Sequence, residues 1–166
     1  MKKYLITVIM FFICNIAIAA GECIFQVVEN SDNTSTQFFY KNSKVIAARI
    51  LEDGVFVSQK GKIPDGIAKM ISPKGITLAE LRFKNNQLNG ISKEYYDSGE
   101  IYFLKNYKDN RLNGVTKEFY KDGDLHFEWI YHDNKLDGNS VEYDEDGRLK
   151  GKLTYRKGVK EYIFYY

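Results

Sequence analysis

Residues 88–135 read LNGISKEYYDSGEIYFLKNYKDNR and then LNGVTKEFYKDGDLHFEWIYHDNK, two segments of 24 residues that match column by column. The same frame runs back to PDGIAKMISPKGITLAELRFKNNQ at 64–87 and forward to LDGNSVEYDEDGRLKGKLTYRKGV at 136–159. Gly66, Gly90, Gly114 and Gly138 mark it, with Gly75, Gly99, Gly123 and Gly147 nine places later. Aromatic columns keep step: Phe83, Tyr107, Tyr131 and Tyr155 form one, and Ile71, Tyr95, Phe119 and Tyr143 another. A fixed period of this length signals stacked supersecondary units.

Within each unit hydrophobicity alternates with period two, which predicts strands. Leu125, Phe127, Trp129 and Tyr131 fall on one face, with His126, Glu128 and His132 on the other. Asp97-Ser98-Gly99, Lys121-Asp122-Gly123 and Glu145-Asp146-Gly147 supply glycine for tight turns, and Asp109-Asn110, Asp133-Asn134 and Lys157-Gly158 supply a second set. Each unit is therefore a β-hairpin. The expected fold is all-β, an elongated antiparallel meander of four hairpin repeats with one aromatic face and one charged face.

Around residues 64–159 the chain divides into flanks. Residues 160–166, KEYIFYY, read as a closing strand over the open edge of the last repeat. Residues 20–63 read as an irregular segment, in which Thr36 to Leu51 carries a degenerate leading hairpin. Its Phe39-Tyr40-Lys41-Asn42 echoes Phe119-Tyr120-Lys121-Asp122, and a larger hairpin through Asp53-Gly54 and Lys60-Gly61 follows. Residues Glu29 to Ser35 are polar and read as a loop. Residues 1–19 have the pattern of a helical signal peptide: Lys2 and Lys3, an apolar run from Tyr4 to Ile13, and Ala17-Ile18-Ala19 before the cut. The expected site of action is periplasmic or extracellular. Glu22 before Cys23 departs from a lipoprotein signal.

Charge narrows the partners. The whole chain has 24 basic and 22 acidic residues, and loss of Lys2 and Lys3 leaves 22 of each. The repeats hold 16 of each, well mixed, so the basic excess that nucleic acid requires is absent. The same balance weakens electrostatic docking on anionic lipid. Membrane association therefore ranks behind a protein partner.

At Leu112-Asn113-Gly114 through Tyr120 and Gly123 the sequence resembles the bacterial MORN-variant repeat, a resemblance extending over residues 64–159. Proteins with this repeat are often grouped as the YwqK-type antitoxin family. The resemblance implies a hairpin array that binds protein, in toxin–antitoxin pairs, and it carries over no catalytic residue. Export departs from a cytoplasmic antitoxin and suits an immunity or envelope-binding role; a membrane-associated scaffold is the alternative.

Chemistry is sparse in the pattern. His126 and His132, six residues apart on one strand, stand about 20 Å apart, too far to share an ion. Asp144-Glu145-Asp146-Gly147 resembles part of a calcium loop but fills the slot of an ordinary hairpin turn. The reading is non-enzymatic, with no metal and no cofactor. Tyr96, Tyr102 and Tyr120 fall out of phase with the buried columns and are the expected exposed binding aromatics. With Cys14 lost alongside the signal, Cys23 is a lone thiol open to an intermolecular disulfide or to burial.

Overall fold

The computed structural model describes residues 21–30 and 32–165, with side chains as far as Tyr162, so the expected signal at 1–19 lies outside the described residues. All regular structure among them is strand, in one twisted sheet. Four strands come first: β1 (Cys23–Glu29), β2 (Thr34–Lys41), β3 (Lys44–Glu52) and β4 (Val55–Gly61). The repeats contribute the hairpins β5 (Gly66–Ile71) with β6 (Thr77–Lys84), β8 (Gly90–Tyr95) with β9 (Ile101–Lys108), β11 (Gly114–Phe119) with β12 (Leu125–His132), and β14 (Gly138–Tyr143) with β15 (Leu149–Arg156). Two-residue strands β7 (Gln87–Leu88), β10 (Arg111–Leu112) and β13 (Lys135–Leu136) link them, and β16 (Val159–Tyr165) ends the sheet.

Turn chemistry sets the zigzag. At Asp109-Asn110 both residues have positive φ, 49° and 67°, and Asp133-Asn134 repeats this at 48° and 65°. That is the backbone of a tight two-residue hairpin turn, which asparagine tolerates. The pairing then slips. Leu112 faces Tyr107, yet Lys117 faces Leu104, so two extra residues lie on the returning strand. Gly138 shows why glycine stands at the equivalent slip in the last repeat. Its φ is 127°, and an added Cβ would sit 3.1 Å from the Ile130 side chain.

A second irregularity recurs inside every hairpin. Glu118 faces Phe127 and Phe119 faces Leu125, leaving His126 as the extra residue of a β-bulge. Tyr102 and Lys150 hold the same unpaired place in their repeats. The alternation read from Leu125 to Tyr131 is therefore interrupted at its start.

Two features of the N-terminal segment correct the expectation. Residues 23–61 form four regular strands, and β2 and β3 form the leading hairpin. Its turn is the two-residue kind, Asn42-Ser43 with φ of 49° and 61°, unlike the glycine turn that its sequence echoes. Nor does the meander run in chain order. β1 lies beside β5 and pairs with it in parallel at Cys23↔Ala68 and Ile24↔Lys69, because the link from β4 crosses back through Ile63.

This return makes the core. The meander curls over the aromatic face of the first repeat, bringing Phe39 to Phe25 at 5.5 Å and to Phe83 at 5.3 Å between ring centres. Phe39 and Ile63 are wholly buried. Beyond Leu88 no described hydrophobic side chain is fully buried. β16 pairs along β15 from Arg156↔Val159 to Gly151↔Tyr165 and closes the last hairpin, becoming the end strand itself.

Candidate recognition surface

The face that the meander covers continues over repeats two to four without cover from the described residues. Ala79, Leu81 and Phe83 are 4 %, 8 % and 2 % exposed. Their equivalents Phe103, Phe127, Trp129, Tyr131 and Tyr155 are only partly buried. Trp129 stacks on Phe127 at 4.9 Å and lies 6.4 Å from Phe103, so the rings form a stripe across neighbouring hairpins. Opposite Lys105, Trp129 and Leu153 stand the buried small residues Ser92, Thr116 and Ser140. A large side chain on one strand leans over a small one on the next. Polar groups along this stripe pair among themselves: Glu94 with Lys105 at 2.6 Å and Glu142 with Lys150 as ion pairs, and Glu118 with the His126 ring by a hydrogen bond at 3.3 Å. The pairing raises the Lys150 pKa, first through its hydrogen bond to Glu142.

Tyr96, Tyr102 and Tyr120 are half-buried, not exposed. The Tyr96 hydroxyl donates to the Phe119 carbonyl at 2.7 Å, and that of Tyr120 donates to the Tyr143 carbonyl at 2.9 Å. Both tie one hairpin to the next. Tyr102, the bulge residue, packs on Tyr96 at 4.7 Å, and His126 takes its place against Tyr120 at 4.1 Å. Burial raises the pKa of all three tyrosines. His126 thus belongs to the packing between repeats, whereas His132 is exposed. Cys23 is buried against the core, which raises its thiol pKa and removes it from the reach of a second molecule's thiol. No group of three or more metal-ligating side chains occurs among the described residues.

A ladder at the two-residue turns also joins the repeats. Asn110 donates its N–H to the Leu88 carbonyl at 3.0 Å, and its side-chain oxygen accepts the Leu88 N–H at 2.8 Å. Asn134 treats Leu112 in the same way at 2.9 and 2.7 Å. Beside this rung, Asn89 reaches Asp109 and Asn113 reaches Asp133, while Asp65 and Asp137 instead accept the backbone N–H of Asn85 and Lys157. Donor and acceptor match in every copy.

Where cover gives way to open face lies a polar seam. Gln37, Arg49 and Gln59 form one cross-strand row over β2, β3 and β4. Arg49 is wholly buried, its guanidinium carbon 4.8 Å from the Phe56 ring centre and 5.2 Å from that of Phe83. Nη2 donates to Asn110 Oδ1 at 2.9 Å. Nε and Nη1 find no partner among the described residues, and neither do the amide oxygens of Gln37 and Gln59. None of the ion pairs formed by described residues includes Arg49. Burial lowers its pKa to about 10, which leaves it charged at neutral pH. Tyr107 lies beside it, its pKa pushed up to about 12 by burial and then by Glu94, with Arg49 acting in the opposite sense.

These features define a tandem β-hairpin repeat protein with one end of its aromatic face covered and the other open. Residues 88–109, 112–133 and 136–157 match the MORN repeat variant. MORN repeats are generally protein- or membrane-binding modules without catalytic chemistry of their own. The matched segments are the three uncovered repeats, and the covered copy at 64–87 lies outside the match. No curated protein matches the chain.

Proposed function

We propose that this protein is an exported, non-catalytic binding module whose open face engages a protein, and that its partner is a toxin it occludes as an antitoxin or immunity protein. The observation that carries this reading is the stripe of half-buried aromatics centred on Trp129, which no described residue covers, although the chain covers the same face two repeats earlier. Large aromatic side chains in a water-excluding patch dominate protein recognition. Export rests on the pattern of Met1 to Ala19.

Co-purification with the product of the adjacent gene, together with protection of a host expressing that product, tests the reading. The informative variant is Trp129→Ala combined with Phe127→Ala, because Tyr96 and Tyr120 hold the hairpins together. Loss of both capture and protection with the fold intact is expected. Unchanged protection by this variant would remove the open face from the function.

Membrane association is the second reading, favoured by the repeat match alone. The 16 acidic and 16 basic residues of the repeats count against its electrostatic form. Flotation with neutral and with anionic vesicles separates the two readings.

A further inference from the structure

The open face meets the covered core at Arg49, the one buried cation without a counter-charge among the described residues. From this juxtaposition we infer that the partner segment received by the open face carries a carboxylate, which seats at the seam between Arg49 and Asn110. The inference rests on the protein-binding reading and adds the chemistry of what is bound.

The seam is poorly satisfied as it stands. A buried guanidinium at neutral pH needs acceptors, and Arg49 has one neutral amide oxygen for five N–H bonds. Phe56 and Phe83 pack against the guanidinium, whose N–H bonds lie in its plane, so a new acceptor approaches in that plane. The Asn110 edge is the way in. Asn110 is partly exposed and its neighbours Asp109 and Arg111 are more so. Its oxygen accepts from both Arg49 and Leu88 N–H, so exchanging the Arg49 bond for a carboxylate leaves the inter-repeat rung in place. The replacement is a charge-assisted bond, stronger than the amide bond it displaces.

Charge complementarity selects the occupant. Glu94 and Glu142 on the open face already have Lys105 and Lys150, and Glu118 is hydrogen-bonded to the His126 ring. A basic segment would find among these only carboxylates that already have a partner. A second molecule of this chain packed open face to open face would offer Arg49 only Glu94, Glu118 and Glu142, each already bonded. An acidic residue flanked by apolar ones answers both the stripe and the cation, its apolar neighbours lying on Tyr107, Tyr131 and Trp129.

Panning a random 12-residue peptide library on the full chain tests this, with Trp129, the only tryptophan in the sequence, as the reporter. Enriched peptides are expected to pair Asp or Glu with aromatic or branched residues and to shift Trp129 emission. They should weaken at least tenfold when the acid becomes its amide. Arg49→Gln should abolish that acid-over-amide preference and Arg49→Lys should keep part of it, with circular dichroism checking the fold. Should Arg49→Gln fail to fold, the acid-to-amide peptide pairs and Arg49→Lys decide. Peptides that shift Trp129 but bind equally well as acid and amide overturn the carboxylate and spare the open face. An empty selection, or binders that leave Trp129 emission unchanged, overturns both.

Discussion

Phe83 and Tyr131 hold the same place in two copies 48 residues apart, yet Phe83 is 2 % exposed and Tyr131 remains half-open. The backbone around them is alike: a tight turn, a two-residue slip and a bulged hairpin. What differs is the layer above. Over Phe83 lie Phe39 and Arg49 from the returning meander; no described side chain closes over Tyr131 and Trp129 in that way. Composition follows the layer. Ala79, Leu81 and Phe83 are the residues of a sealed interface, whereas Trp129 and Tyr131 offer rings with a polar edge beside Phe127. The first repeat therefore serves as the anchor of a core, and the later ones form a platform.

The largest expected effect breaks this comparison directly. Phe39→Ala removes a ring packed on both Phe25 and Phe83 and should cost about 3–5 kcal/mol in urea unfolding. Trp129→Ala deletes a larger side chain, but one already partly hydrated, and should cost only about 1–2 kcal/mol. Equal costs would mean that the two faces are equally sealed.

The seam between the halves should show itself in alkali. Tyr107 has a folded pKa of about 12, above its ordinary value near 10. Its contribution is complete below pH 10 and is lost as pH rises toward 12, on the order of 2 kcal/mol. Burial shifts Arg49 in the opposite sense, and that group is common to the parent and the variant compared below. The difference between the parent and Tyr107→Phe isolates the tyrosine. Stability of the parent relative to the variant should decline between pH 10 and 12, measured by chemical denaturation at each pH.

Much of this was legible in the chain because it repeats. The 24-residue glycine columns, the alternating strands and both kinds of turn are local chemistry written several times over. The return of the meander was not legible, since it depends on a single crossing at Ile63 and on Phe39 fitting over Phe83, contacts that occur once. The packing of the tyrosines between repeats was hidden for another reason. A period-two reading assumes an unbroken strand, and the bulges at Tyr102 and His126 shift the side chains beside Tyr96 and Tyr120. One sign was present: the column reads Ser72, Tyr96, Tyr120 and Asp144, with tyrosine in the two central copies alone.

Contacts between open repeats should matter less than the core but more than ordinary surface. Tyr120→Phe keeps the ring against His126 and removes only the bond to the Tyr143 carbonyl, which predicts a loss of about 1 kcal/mol. Tyr102→Phe keeps its ring contacts with Tyr96 and Phe103 and should cost less. Hydrogen exchange should then quicken in β14 of the Tyr120 variant and stay unchanged in β2 and β3. Faster exchange in the meander as well would mean that the two halves unfold as one unit.

The smallest effect concerns the ladder at the turns. Asn113 donates toward the Asp133 carboxylate at 3.5 Å, on an exposed rim where a single bond is worth little. Asn113→Asp sets two carboxylates opposite each other and should cost about 0.5–1 kcal/mol at low salt, shrinking as salt is added. Adding Asp133→Asn reverses the donor and acceptor without changing the shape and should restore most of the loss. Restoration would identify pairing between neighbouring turns as a source of the match seen in every copy. If the double variant is no better than the single one, the turn backbone alone sets the identity of these residues.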